Sequence, residues 1–251
     1  MNPRNNIFST LGEYTLFMLK VFKKPEKLKM YGSQYFREIE SIGLNSIGIV
    51  FLISIFMGAV LTIQTGINLE NPFIPLYLIG YATRDSMILE FSSTIVCLIL
   101  AGKVGSNISS EIGTMRVTEQ IDALEIMGVN SASYLVLPKI LAAVSFFPFL
   151  VIMSVFVGVW GGWLGGCMLT EVLTTGQYIE GLRYYFIPYY IVYSLIKTSV
   201  FAFIITSVSS YYGYHTAGGA LEVGRSSTRA VVYSSVLILL FNLILTQLLL
   251  V

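Results

Sequence analysis

The sequence predicts an all-α integral membrane protein: an N-terminal interfacial amphipathic helix, then five transmembrane helices with a short cytoplasmic helix between the second and third. Three observations lead there. Of the 251 residues, 55% are hydrophobic and 12% charged, about half the ~25% charge of a soluble domain. Five stretches are apolar enough, at roughly 20 residues each, to cross a bilayer. Lys and Arg fall almost wholly on one side of them. The same composition excludes a disordered chain, a nucleic-acid binder and an ordinary soluble enzyme. A formal net charge of +1 gives no field to steer an acidic partner.

The first forty residues form a segment of their own. They lack an apolar core followed by a small-residue cleavage site, so they do not read as a signal peptide. Ile7, Leu11, Tyr14, Met18 and Val21 recur at helical spacing, with Lys20, Lys23 and Lys24 near the far end. That pattern suits a helix lying in the cytoplasmic headgroup layer, or else a plain cytoplasmic extension.

The spans follow within residues 41–251. No charge lies between Glu40 and Glu70, and 42–63 reads as the first span. The second, 87–106, carries Glu90 and Lys103. The third, 140–168, lies in the charge-free stretch between Lys139 and Glu171. The fourth, 189–211, carries Lys197, and the fifth is 230–251. With the N-terminus inside, the cytoplasmic side holds Arg4, Arg37, Lys103, Arg116, Lys139, Arg225, Arg229 and the N-terminal lysines, while only Arg84 and Arg183 lie outside. Five spans then put the C-terminus on the outer side.

Small and aromatic residues mark contacts and boundaries. Gly158, Gly162 and Gly166 are spaced four apart along the third span, as are Gly161 and Gly165. Such spacing lets transmembrane helices approach closely, within one chain or between two. Tyr184, Tyr185, Tyr189, Tyr190 and Tyr193 gather where the fourth span begins, as an interfacial aromatic belt does. Cys97 and Cys167 both sit in apolar stretches and indicate neither a disulfide framework nor a zinc site.

Two motifs are refused. The run 219–226, GALEVGRS, has P-loop spacing, but Arg225 stands where the chemistry needs lysine, and no strand precedes it. His215, the one histidine, has no ligand or catalytic partner at a useful spacing. No resident cofactor or metal is expected, and no hydrolytic cluster appears.

The segment 111–128, EIGTMRVTEQIDALEIMG, is too charged to span and falls on the cytoplasmic side between the second and third spans. Glu119, Asp122 and Glu125 form an acidic ridge three residues apart, with Val117, Ile121 and Leu124 on the opposite region of the helix. It fits a helix that receives movement from a separate motor, and equally an ordinary loop helix.

The run EIGTMRVTEQIDALEIMGV, then Leu137-Pro138-Lys139 and Val159-Trp160-Gly161-Gly162, resembles the MlaE-type permease family. Lys197 to Phe201 and the run GRSSTRAVV at 224–232 are similar to it as well, so the resemblance covers the chain from about Ser41 onward. Two departures stand out. Leu89-Glu90-Phe91-Ser92-Ser93 replaces the family's Arg-Glu-Leu-Gly-Pro, and Asn242 stands where the family often has Asp.

The resemblance implies a homodimeric permease subunit of a lipid-transporting ABC complex in the bacterial inner membrane. A cytoplasmic ATPase pair, which binds the ATP, docks below, in some systems with a STAS-domain protein. A periplasmic MCE-domain protein docks above, and phospholipid is the implied cargo. Shielded transfer makes physical sense: on the order of 30 methylenes at about 0.8 kcal/mol each would cost ~24 kcal/mol to expose to water. The expected sites are an ATPase-coupling set, Glu111, Arg116, Glu119 and Asp122; a lipid-cavity or gating set, Glu90, Lys197 and Asn242; and a packing set, Gly158, Gly162 and Gly166. Counted inward from Asp85, Glu90 lies about 7.5 Å into its span. Lys197 is read as lying near the inner half of its own span, so it pairs with Glu90 in the same subunit only if the helices are offset; Glu90 is expected to face a hydrated cavity or the dimer axis, or to bond Ser92, Ser93 or a neighbouring backbone. The rival reading is an ion-gradient-driven secondary transporter with Glu90 and Lys197 as coupling charges.

Overall fold

The computed structural model describes residues 7–23, 28–69, 73, 75–170 and 172–250. Among these there are eleven α-helices and no strand: α1 (Ile7–Val21), α2 (Leu28–Glu38), α3 (Ile47–Asn68), α4 (Tyr77–Ser86), α5 (Val96–Leu100), α6 (Ser106–Val117), α7 (Gln120–Ile126), α8 (Ser131–Trp163), α9 (Thr175–Arg183), α10 (Tyr189–Tyr214) and α11 (Ala220–Leu250). Short π-helical stretches join several of them end to end, so that five helical rods are long and apolar enough to cross a membrane: Tyr31–Asn68, Tyr77–Val117, Ser131–Leu169, Tyr189–Tyr214 and Ala220–Leu250.

The first four expected spans fall inside rods, and so does the fifth up to Leu250, Val251 lying outside the described residues; most of the rods are longer. A hydropathy window sees only the part that must be apolar. The helices continue beyond it because their polar ends are satisfied by the protein. At the start of the second rod, the Arg84 guanidinium donates to the carbonyls of Leu182 and Tyr184 at 2.7 and 2.9 Å. Near its other end, Glu111 is paired with Lys139. The first rod begins before residue 41, since α2 passes through a π-helical stretch, Ile39–Gly43, and a short 3₁₀ turn into α3.

The chain divides into two compact units. One gathers Met1–Leu44, Leu100–Ser145 and Phe201–Leu240. Within it α1 lays Phe17, Met18 and Val21 into the core. Tyr14 donates to Ser207 at 2.8 Å, and Phe17 packs on the rings of Tyr211, Tyr214 and His215. The expected apolar stripe is therefore split: Tyr14, Met18 and Val21 serve the chain's own core, while Leu11 is exposed with Leu16, Leu19 and Phe22. Lys24 of that segment lies outside the described residues. In the same unit α6 and α10 meet through small residues. A Cβ on Gly213 would sit 2.8 Å from the Ser109 carbonyl oxygen, and one on Gly105 2.8 Å from Ser209 Oγ.

The other unit holds Asn45–Ile99, Phe146–Val200 and Phe241–Val251. Here the glycines of the third rod seat α3. A Cβ on Gly162 would stand 2.5 Å from Tyr178 Oη and 2.6 Å from Thr62 Oγ1, and one on Gly166 2.5 Å from Thr62 Cγ2. Gly58 and Gly158 meet backbone to backbone. This is a contact within the chain, where the spacing had left either possibility open. A hydroxyl pair, Ser54 to Ser154 at 2.8 Å, crosses the same seam. The helix α9, opened by a capping box between Thr174 and Gln177, packs on α4 so closely that Gly80 and Gly181 have no room for a side chain.

Candidate functional site

The second rod is wound as a π-helix over Met87–Ile95, a distortion that clusters at functional positions because it re-aims side chains. It carries Glu90. The carboxylate is ion-paired with Lys197, Nζ to Oε1 2.9 Å. The Lys197 ammonium has three protons and three acceptors in reach: Glu90, the Leu89 carbonyl at 3.1 Å and the Tyr193 hydroxyl at 3.1 Å. The other carboxylate oxygen accepts from Asn242 Nδ2 at 3.2 Å and from Thr94 Oγ1 at 3.0 Å. Thr94 also lies 3.1 Å from Asn242 Oδ1. Tyr193, itself buried, reaches Thr246 at 2.9 Å.

Glu90, Lys197 and Asn242 are thus one cluster, and of the alternatives the direct Glu90–Lys197 pair is the one formed; the expected place of Lys197 near the inner half of its span is corrected. Lys197 is eight residues into a 26-residue helix, about 12 Å from its first end at 1.5 Å per residue. It is therefore in the first half of α10, within reach of the carboxylate. Neither Ser92 nor Ser93 bonds the Glu90 carboxylate. Ser93 donates to backbone carbonyls, and Ser92 Oγ is buried without a partner. The Lys197 side chain is fully buried, while that of Glu90 is 40% exposed. The result is a net-neutral pair with one polar edge open, an arrangement a hydrocarbon layer tolerates where a lone charge would cost several kcal/mol. Thr94, Tyr193 and Thr246 complete it. Their spacing from Glu90, Lys197 and Asn242, four residues in each case, is the signal that would have found them.

In the other unit, the segment 111–128 is two helices, not one. Helix α6 ends at Val117, and α7 begins after Glu119, whose backbone is left-handed at φ 60°. The break leaves Glu119, Asp122 and Glu125 at the start of and along α7, and parts them from Glu111, Arg116 and Val117 on α6. Glu111 belongs to α6 and is bound to Lys139, whose buried ammonium also holds Glu38, at 2.8 and 2.7 Å. Arg116 and Asp122 pair across the break. Glu119 is exposed at the corner itself. Ile121 anchors α7 in the core, whereas Ile126 and Met127 are 87% and 67% exposed at its tip. Glu125 accepts from Tyr214 at 2.8 Å and Ser131 at 2.9 Å, and these bonds hold its carboxyl below the ordinary value of 4.5. Lys139 and Glu38 carried no sequence signal as partners, being 101 residues apart.

Residues 220–226 form the first turns of α11, and Gly219 lies just before it. Among the described residues no group of three or more His, Cys, Asp or Glu is placed to hold a metal.

A family profile described as Permease MlaE matches residues 35–248. A probable ABC transporter permease protein of Rickettsia bellii is 36% identical over 239 residues, 95% of this chain and 92% of that one. The protein TRIGALACTOSYLDIACYLGLYCEROL 1, chloroplastic, of Arabidopsis thaliana is 32% identical over 229 residues, 88% of this chain and 63% of its own length. The intermembrane phospholipid transport system permease protein MlaE of Haemophilus influenzae is 27% identical over 241 residues, 96% of this chain and 92% of that one. Five membrane-crossing rods and a match running through nearly all of them lead to one conclusion: the chain is a multi-pass membrane permease that belongs to the MlaE family.

Proposed function

We propose that this chain is the membrane subunit of an ABC transporter that moves phospholipid between the bacterial inner membrane and a periplasmic MCE-domain carrier. It acts as a homodimer with its N-terminus inside, and a separate cytoplasmic ATPase, in some systems accompanied by a STAS-domain protein, supplies the energy. The observation that carries this reading is the Glu90–Lys197–Asn242 cluster: a paired and hydrogen-bonded polar group within membrane-crossing rods, with the Glu90 side chain 40% exposed. That exposed edge offers a hydrogen-bond acceptor to a lipid headgroup while leaving no lone charge in the hydrocarbon layer.

The ATPase contact is assigned to the α6–α7 corner. Glu119 presents its carboxylate there, and the ion pairs of Glu111 with Lys139 and of Arg116 with Asp122 brace the corner. Lipid transfer to the carrier in Glu90→Gln and Glu90→Ala tests the cavity role. The expected result is a loss of several-fold or more in Ala and a smaller one in Gln, which keeps the shape and one acceptor oxygen. Full transfer by both variants at normal expression would remove Glu90 from the transport path. For the corner, Glu119→Lys should release the ATPase on co-purification while the permease still folds.

A further inference from the structure

One cavity is left unused by the transport reading. Between α8 and α9 lies an open groove of about 390 Å³, walled by Phe156, Trp160 and Trp163 on one side and Tyr178, Ile179 and Leu182 on the other. Its size is within the range of small-ligand sites. Its chemistry is narrow. The Thr175 hydroxyl accepts from Trp163 Nε1 at 3.2 Å. The Tyr178 hydroxyl donates to the Val159 carbonyl at 2.8 Å. The Trp160 indole N–H is the other polar group of an otherwise apolar lining, so an occupant gains mainly by burying apolar surface.

Location says what that occupant is. The α8 wall belongs to the charge-free stretch between Lys139 and Glu171. Phe156 and Trp163 lie roughly 20 and 9 Å before the end of the rod at Leu169. The medium against this face is therefore hydrocarbon, and Trp160 and Phe156 stand 50% and 72% exposed toward it. Paired aromatic walls at the edge of a bilayer suit a chain that enters the groove with its polar head left at the interface.

We propose that this groove is a lipid-binding site that seats one acyl chain of a membrane phospholipid. It requires only that the third rod lies in a bilayer, and it stands whether or not the transport reading does.

The chain makes the test direct, because Trp160 and Trp163 are its only two tryptophans. The full-length permease carrying Trp160→Phe is reconstituted into phosphatidylcholine vesicles whose acyl chains bear bromine, leaving half-buried Trp163 as sole reporter. Emission should fall to about half or less, and water-soluble iodide should leave it unchanged. Ile179→Phe, which fills the groove from its exposed rim, should restore at least half of the lost emission. Leu182→Phe, filling it from another position, should act alike and guards against a local defect in one variant. Quenching by iodide would mean that the groove holds water and would overturn the proposal. So would absence of bromolipid quenching, which would mean an empty or protein-covered groove. Bromolipid quenching unaffected by either filling variant would place the chain beside the groove and equally sink the idea.

Discussion

The two compact units solve the same problem, joining membrane helices, by different means. The unit with Asn45–Ile99, Phe146–Val200 and Phe241–Val251 joins them through bare backbone: Gly58 on Gly158, and Gly161 on the backbone of Ile55. Its ion pairs in the rods are matched charge for charge, Arg84 against Asp85 and Lys197 against Glu90, and a neutral amide, Asn242, also bonds the Glu90 carboxylate. The unit with Leu100–Ser145 and Phe201–Leu240 is looser with charge. Lys139 serves two carboxylates, Glu38 and Glu111, an excess of one negative charge. The difference is solvent. Glu111 is 46% exposed at the side chain and lies near a rod end, where water screens the excess; within hydrocarbon no such relief exists.

That contrast is broken most strongly at Lys197. Lys197→Met leaves Glu90 without its counter-charge and should cost about 3 kcal/mol or more of stability, the usual consequence of removing one partner of a buried pair. Adding Glu90→Gln should recover most of the loss, a pattern that thermal unfolding of the single and double variants in detergent would show. A double variant no more stable than Lys197→Met would mean that the pair is not the unit of stability.

The glycine seam comes next. Gly162→Leu drives a side chain into Tyr178 and Thr62 and should cost about 1–3 kcal/mol, as overpacking does. Gly48, in the same α3 helix as Gly58, meets nothing within 4 Å, so Gly48→Ala should stabilise by about 0.5 kcal/mol through helix propensity. Equal melting temperatures for the two would dissolve the distinction between packed and open glycines.

Lys139→Met should cost less than Lys197→Met, about 1–2 kcal/mol, because Glu111 regains water when its partner is lost. A loss as large as that at Lys197 would show that the cluster around Lys139 is as intolerant of unpaired charge as the one around Lys197.

The smallest effect is pH-dependent. Hydrogen bonds from Tyr214 and Ser131 hold the Glu125 carboxyl below its ordinary value of 4.5. A depressed folded value means that the stabilisation is complete above pH 4.5 and is lost as pH falls through the folded value. Tyr214→Phe should therefore lower the melting temperature slightly at pH 6 and make no difference at the acid end. A gap between the two proteins that stays constant from pH 6 to pH 3 would remove Glu125 from the account.

The sequence by itself determined the five crossings, their order and the family, because hydrocarbon imposes one coarse rule, a run of roughly 20 apolar residues, that any segment meets or fails alone. It also determined that Gly158, Gly162 and Gly166 mark a close approach, since small residues four apart share one helix face. Only the tertiary structure decided what each polar group inside those crossings bonds to. Glu90 and Lys197 are 107 positions apart, and Asn242 reaches Glu90 across 152; the angular placement that brings them together depends on π-helical turns in the second rod that no periodicity announces. The break at Glu119 was equally hidden. Local pattern supports one helix through 111–128, but the pairing of Arg116 with Asp122 and the burial of Ile121 favour a left-handed residue between two short helices. Crossing a membrane is a property of a segment, while pairing a charge is a property of the packing.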